Sequence, residues 1–226
     1  MGRLAVILGS NALGPGGDDI ATAAAAHGAA VVQRHGTTDA YVLPHRIDHA
    51  ANLRPLVEQG CDRVLAIASV GSLRADLPVG SLVCPDDFIA LQIGASIFED
   101  TRAHTAPSFA TRWRGELLGA WAESGEPPVD GGVYWQTIGP RFETPAEIRM
   151  IAQHADLVGM TIASECVIAG ELGLEYAAIC MVDNLANGLD EGELSLIEME
   201  ADRLLNATRL RDGLAAALPR LGVIGR

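Results

Sequence analysis

Residues 157–184, LVGMTIASECVIAGELGLEYAAICMVDN, contain two apolar runs separated by a helical stretch. The runs at 157–160 and 176–182 are short and end at polar residues, which is typical of buried strands. The stretch between them, through Cys166 to Leu172, is predicted to be a helix. Parallel strands need a crossover connection of this kind. The segment therefore predicts an α/β fold.

The same alternation extends along the rest of the chain. It predicts further strands at 4–8, 29–33, 63–68, 81–84, 88–91 and 133–138, and helices at 48–59, 109–123, 144–152 and 193–218. A glycine loop is expected at 9–17 and a surface loop at 95–108, and Thr144 is expected to cap the helix that Pro145 begins. No repeat or composition shift divides the chain. We predict a single domain over residues 1–226, with a mixed, mostly parallel central β-sheet flanked by helices.

Composition argues against several classes of function. The net charge is −13, from 16 basic and 29 acidic side chains, which disfavours a nucleic-acid partner. Aromatic residues make up 4% of the chain, too few for a base-stacking platform. The chain shows no apolar run of membrane-spanning length and no signal peptide, which predicts a cytoplasmic protein. Four cysteines without CxxC spacing are expected to be buried free thiols: Cys61, Cys84, Cys166 and Cys180.

Three polar segments follow predicted strands. They are 139–147 (GPRFETPAE), 159–161 (GMT) and 182–184 (VDN). Open α/β sheets bind ligands at the carboxyl ends of their strands. An aromatic ring, a carboxylate, a hydroxyl and a carboxamide at that edge suit a small polar heterocycle that carries a sugar. The glycine loop matches neither GxGxxG nor a P-loop, which argues against dinucleotide or ATP binding.

These segments resemble the trimeric purine nucleoside phosphorylase and methylthioadenosine phosphorylase family, whose members cleave nucleosides with inorganic phosphate. The resemblance spans most of the chain. It implies a purine nucleoside and phosphate as small-molecule partners, with phosphate a substrate and not a cofactor, and it implies a homotrimer with shared sites. No metal is expected, because the sequence has no HExxH motif, paired Cys/His spacing or convincing DxD cluster, and no membrane partner is expected without a long apolar run.

The resemblance implies a phosphate site made of hydroxyls, amides and one arginine. The residues that match it are Ser10, Arg34, His35, Ser69 and Thr161. Asn11 could bind phosphate in place of Ser10. The Ser10 hydroxyl could instead be an ordinary turn hydroxyl. The other interpretation of Arg34 is a surface ion pair.

Two residues are expected to act on the purine. The Glu143 carboxylate can accept from the N1–H of a 6-oxopurine, whereas it repels the N1 acceptor of adenine. The Asn184 amide can bond O6 and N7 more tightly as negative charge builds on the leaving base. A one-residue shift of the strand would present Asp183 instead, and either residue could simply cap a strand end.

The resemblance also implies further contacts to the substrate. They come from Val70, Gly71, Phe142, Met160, Asp183 and Ala186, and from His104 of a neighbouring subunit at the 5′ end of the nucleoside. Core packing is the other interpretation of Phe142 and Met160, and a solvated loop side chain that of His104. Glu165 is interpreted as a structural carboxylate. The sequence departs from the family pattern at Asp39, at Ser164 and at Asp48-His49-Ala50, where relatives often have histidine, proline and Asn-Tyr-Arg.

The predicted reaction is reversible phosphorolysis to a free purine and ribose 1-phosphate or its 5-methylthio analogue. A hydrolytic purine nucleosidase and a non-catalytic purine- or anion-binding protein are the alternatives. The sequence leaves open whether the substrate is inosine or guanosine, or a 5′-methylthio nucleoside.

Overall fold

The apolar runs of the sequence form the strands of one sheet in the computed structural model, which describes residues 2–10, 17–37, 39–189 and 196–221. For residues 17–19 and 196–205 the description is limited to the backbone. Asn11, the rest of the predicted glycine loop at 12–16 and the predicted helix start at 193–195 lie outside the described residues.

Eleven strands occur in this described part of the chain. They are β1 (Arg3–Leu8), β2 (Ala30–Gln33), β3 (Gly36–Thr37), β4 (Ala40–Tyr41), β5 (Cys61–Ser72), β6 (Leu82–Cys84), β7 (Asp87–Ile89), β8 (Val129–Asp130), β9 (Val133–Gln136), β10 (Leu157–Gly159) and β11 (Glu175–Leu185). β3 and β4 form a separate hairpin, and the other nine share one sheet. Within it, β10 with β5 and β11 with β6 pair antiparallel and the other pairs are parallel. This confirms the predicted mixed, mostly parallel sheet.

Helices cover both faces of the sheet. They are α1 (Gly17–Ala26), α2 (His49–Glu58), α3 (Thr111–Trp121), α4 (Pro145–Ile151), α5 (Ile162–Glu171) and α6 (Leu196–Leu221). Along β5, Val64 and Ala66 pack with α2 and α5, whereas Leu65 and Ile67 pack with α1, α3 and α6. A strand buried on both faces must be apolar at every position, which explains the unbroken apolar runs. Thr144 caps α4, as predicted, and its side chain accepts from the Glu147 amide.

Both central strands are longer than predicted. β5 continues past Ala68 to Ser72, and β11 continues past Val182 to Leu185. The two extensions pair with each other, since Asn184 lies opposite Gly71 and Leu185 opposite Ser72. Residues that the sequence placed just beyond a strand therefore lie inside the sheet.

Candidate active site

One edge of β5 is interrupted, and the interruption sets the position of the site. β1 pairs with this edge as far as Ala66, and β10 pairs with it in the opposite direction from Gly71. From Ile67 to Val70 no strand of the described residues pairs with this edge, which we call the β5 gap. Both neighbouring strands point their carboxyl ends at the gap, so Gly9 after β1 and Thr161 after β10 approach it from opposite sides. Open α/β sheets bind ligands in such a crevice, where the strand order switches.

Arg34 follows β2 and lies buried beside the β5 gap. Its Nε and Nη2 atoms donate to the two carboxylate oxygens of Glu165 at 2.5 and 2.8 Å, and Nη1 donates to the Ile67 carbonyl at 2.9 Å. Gly9 makes this approach possible, because a Cβ there would lie 2.8 Å from Nη1. The ion pair is internal, with both side chains about 1% exposed, and so differs from the surface pair considered from the sequence.

The Glu165 carboxylate on α5 is held ionised inside the protein. Burial alone would raise the pKa of Glu165, but the charge and the hydrogen bonds of Arg34 outweigh it and keep that pKa well below the ordinary range. The Tyr176 hydroxyl donates to the same carboxylate at 2.6 Å. His49 places Nδ1 3.7 Å from Glu165, beyond hydrogen-bond distance. These contacts agree with the structural role expected for Glu165.

Thr161 occupies the N-cap position of α5, and its side chain does not cap the helix. Its backbone amide donates to the Tyr134 hydroxyl at 3.1 Å. Burial raises the pKa of Tyr134 well above its ordinary value, so this tyrosine stays neutral. The Thr161 hydroxyl therefore lies at the amino end of a helix, where the helix dipole favours an anion.

Ser69 lies on the other face of the sheet from Arg34. Its hydroxyl donates to Asp183 at 2.5 Å, and the other oxygen of that carboxylate accepts from Asn206 of α6 at 3.0 Å. Asp183 is 5% exposed and is the extra residue of a β-bulge, since Val182 and Asn184 pair with the consecutive residues Val70 and Gly71. The structure thus commits the Asp183 carboxylate to internal partners.

Asn184 is half-buried on the next position of β11, beside the β5 backbone. Its Nδ2 atom donates to the Leu185 carbonyl at 2.8 Å. A Cβ on Gly71 would lie 3.5 Å from this amide and 3.6 Å from the Ala186 side chain. The structure therefore brings Gly71, Asn184 and Ala186 together, with Val70 adjacent in β5.

Glu143 lies on the loop between β9 and α4 and is 9% exposed. The Thr137 hydroxyl donates to its Oε1 atom at 2.6 Å, and the Asn187 amide donates to its backbone carbonyl at 3.0 Å. The loop also contacts the end of β10, because Gly139 packs so closely on Met160 that a Cβ would lie 2.5 Å from the sulfur. These contacts bring Glu143, Met160 and the end of β11 to one place.

Other predicted site residues lie further from this cluster or are exposed. His35 is buried, stacks on Tyr41 with ring centroids 4.9 Å apart, and shares a hydrogen bond between Nδ1 and the Val42 carbonyl. Burial lowers the pKa of His35, which favours the neutral ring. Phe142 is 52% exposed, and His104 and Asp39 are exposed. Ser10 is half-buried directly after Gly9.

Sequence reasoning missed several residues that hold the site in place. Thr137 positions Glu143, Tyr134 and Tyr176 bond Thr161 and Glu165, and Asn206 bonds Asp183. Gln136 exchanges two hydrogen bonds with Ser164, at 2.6 and 3.0 Å. These partners are 6 to 28 positions apart in the chain and form no recognisable motif, although the serine in place of the family proline marked Ser164 as unusual.

The four cysteines are free and buried, as predicted. Within the described ranges we find no group of three or more histidine, cysteine, aspartate or glutamate side chains arranged to hold a metal ion. The helices of the described residues include none that is both long and apolar enough to cross a membrane.

Comparisons with known proteins agree on one family. The phosphorylase superfamily matches residues 9–219. A probable 6-oxopurine nucleoside phosphorylase of Archaeoglobus fulgidus is 43% identical over 171 residues, which cover 75% of this chain and 70% of that protein. A probable S-methyl-5′-thioinosine phosphorylase of Methanosarcina acetivorans is 38% identical over 173 residues, 75% of this chain and 66% of that protein.

Solved structures share the fold. Methylthioadenosine phosphorylase from Schistosoma mansoni, in complex with adenine, superposes with a TM-score of 0.80. The alignment covers 99% of this chain and 93% of that one, at 21% sequence identity. A complex of the same enzyme with tubercidin gives a TM-score of 0.78 over 98% of this chain and 92% of that one, also at 21% identity.

Proposed function

Because this chain belongs to the phosphorylase superfamily, we propose that it catalyses the reversible phosphorolysis of a 6-oxopurine nucleoside or its 5′-methylthio derivative. A phosphate oxygen forms a bond to the anomeric carbon as the bond from that carbon to the purine nitrogen breaks. The products are the free purine and ribose 1-phosphate, or the 5-methylthio sugar phosphate. Phosphate is a substrate of this reaction, which needs no cofactor.

The observation that carries the proposal is the β5 gap, with an arginine and a helix amino end beside it. Among the described residues, Glu165 and Ile67 bind three of the five N–H groups of Arg34, which leaves one N–H on each Nη for phosphate. The Thr161 hydroxyl, Ser10 and the backbone amides of the gap supply further donors. Because Glu165 compensates the arginine charge, the pocket binds phosphate mainly through oriented hydrogen bonds. We include His35 and Ser69 in the phosphate site as residues that hold it in place.

The purine lies further along β5 in this proposal, between Glu143 and Asn184. Ile67 and Gly71 are four residues apart on β5, which corresponds to about 13 Å of strand, enough for a phosphate and a ribose between Arg34 and Asn184. Because the Asp183 carboxylate is already hydrogen-bonded to Ser69 and Asn206, we favour Asn184 as the residue that bonds the base. Its amide stabilises the negative charge that develops on the departing purine.

The names of two relatives support a 6-oxopurine as the base. Both relatives are named as probable phosphorylases of a nucleoside whose base presents an N1–H donor, which suits a carboxylate at position 143. Val70, Gly71, Met160, Phe142 and Ala186 line the sugar and base in this proposal. The proposal also includes a single phosphorylase domain over residues 1–226 and a cytoplasmic location. It further includes a homotrimer, in which His104 of a neighbouring subunit reaches the 5′ end of the nucleoside.

The test is a panel of inosine, guanosine, 5′-methylthioinosine, adenosine and 5′-methylthioadenosine, assayed with and without phosphate by release of free base. We expect release from the 6-oxopurine nucleosides only when phosphate is present. Release at the same rate without phosphate would indicate a hydrolase. Purine binding without turnover would indicate a binding protein, and either result refutes the proposal.

Variants test the assignment of the base site. We expect Glu143→Gln and Asn184→Asp each to lower kcat/KM for 6-oxopurine nucleosides by about 100-fold, the order found when one transition-state hydrogen bond is lost. Glu58→Gln, an exposed residue at the end of α2, is the matched control and should leave the kinetics unchanged. Unchanged kinetics in both site variants would remove Glu143 and Asn184 from the site.

A further inference from the structure

Thr137 is the first residue after β9, and it links the ends of two strands to the loop that carries Glu143. Its backbone amide donates to the Gly159 carbonyl at 2.9 Å, which fixes it against the end of β10. Its hydroxyl lies 2.6 Å from Glu143 Oε1 and 3.5 Å from the Gly159 carbonyl.

The hydroxyl of Thr137 has one proton and two possible acceptors. At 2.6 Å the carboxylate is within the range of a short charge-assisted hydrogen bond, whereas a 3.5 Å contact to a carbonyl is at the limit of hydrogen bonding. The proton therefore goes to Glu143. This hydrogen bond holds the Oε1 atom of Glu143 beside the end of β9.

This arrangement fixes the carboxylate as an acceptor. Within the described part of the chain, no other donor reaches the Glu143 side chain, so Oε2 remains available. The Asn187 amide holds the backbone of the same residue from the loop after β11, so both ends of Glu143 are restrained. A carboxylate restrained in this way accepts from a purine N1–H and repels the N1 lone pair of a 6-aminopurine.

We infer that Thr137 is a positioning residue that determines base specificity, holding the Glu143 carboxylate in a fixed orientation so that the site discriminates 6-oxopurine from 6-aminopurine nucleosides. The inference rests on the proposed function and extends it to a residue that does not touch the substrate. Thr137 acts through Glu143, so its loss changes recognition of the base more than the chemical step.

The test compares Thr137→Val, which keeps the shape of the side chain and removes the hydroxyl, with Thr137→Ser, which keeps the hydroxyl. Phosphate-dependent kinetics are measured with 5′-methylthioinosine and 5′-methylthioadenosine. For Thr137→Val we expect KM for the 6-oxo nucleoside to rise about tenfold, equivalent to about 1.4 kcal/mol of binding energy. The kcat for that nucleoside and the kinetics of the 6-amino nucleoside should change much less, and Thr137→Ser should restore the KM.

Thr111→Val is the matched control, because Thr111 is exposed at the start of α3 and lies outside the loop that carries Glu143. Thermal unfolding of each variant separates a local effect from a loss of stability. An unchanged KM in Thr137→Val, an equal loss on both nucleosides, or a serine variant that folds but does not recover would overturn the inference. If the unmodified protein shows no phosphate-dependent cleavage, the proposed function itself fails, and that result is distinct from the other three.

Discussion

Replacing Glu165 with glutamine should destabilise the protein strongly, because it leaves the buried Arg34 guanidinium without a counter-charge. The wild-type carboxylate accepts two hydrogen bonds from Arg34 and one from Tyr176, and it is 0% exposed. Removal of one member of a buried ion pair costs about 3–5 kcal/mol, because the remaining charge stays desolvated. Glutamine keeps the shape and one acceptor, so we expect the lower end of this range, about 3 kcal/mol.

The cost has a defined pH dependence. The folded-state pKa of Glu165 lies below its unfolded value of about 4.3, so the carboxylate contributes its full stability above that pH. As the pH falls below it, the unfolded chain takes up a proton that the folded protein does not, and stability declines by up to about 1.4 kcal/mol per pH unit. The difference between the wild type and Glu165→Gln should therefore be constant from pH 5 to pH 8 and shrink below pH 4.

The assay is urea unfolding followed by the fluorescence of Trp113 and Trp121, which are fully buried on α3. Tyr176→Phe is the matched control, since it removes one hydrogen bond from Glu165 and keeps the ion pair. It should cost about 1.5 kcal/mol. The reasoning is refuted if Glu165→Gln costs no more than Tyr176→Phe at neutral pH, or if its cost does not change between pH 7 and pH 3.

Two further substitutions test local packing at the site. Ser164→Pro is compatible with the first turn of α5, but it removes both hydrogen bonds to Gln136. We therefore expect the free energy of unfolding, measured in urea, to fall by about 2 kcal/mol. The double variant with Gln136→Leu should recover most of this loss. Single and double variants of equal stability would contradict this. Gly9→Ala places a Cβ 2.8 Å from both the buried guanidinium and the Ile67 carbonyl, so stability should fall by about 1–3 kcal/mol and KM for phosphate should rise. Gly115→Ala, where a Cβ would meet no atom within 4 Å on helix α3, should instead stabilise slightly, and equal effects of the two alanines would refute the packing argument.

The periodicity of the sequence predicted most of the strands and helices of this fold, because strands buried on both faces and helices with capping residues leave strong local signals. It missed helix α1 and the two-residue strands β3, β4 and β8. It placed the ends of β5 and β11 too early, since Ser69 and Gly71 suggest a turn. In the structure the Ser69 hydroxyl is satisfied by Asp183, and Gly71 is a close contact between two neighbouring strands. Such tertiary pairing overrides local preference.

The resemblance suggested most residues of the candidate site, but it could not show how they are held. Arg34 and Glu165 are 131 positions apart, and their ion pair forms only because the fold places the residue after β2 next to α5. Thr137 is a single hydroxyl in a strand end, without a motif of its own. What sequence alone misses here is the set of contacts that restrain the residues it found.

The bulge in β11 separates two chemically different side chains that are adjacent in the chain. At Asp183 the extra residue turns a carboxylate towards α6, and the amide of Asn184 is left beside Gly71. Side chains alternate between the faces of a strand, so a bulge that moved by one position would exchange the two. A related protein could thus place a carboxylate beside the base by shifting the bulge one position, with Asp183 and Asn184 both unchanged.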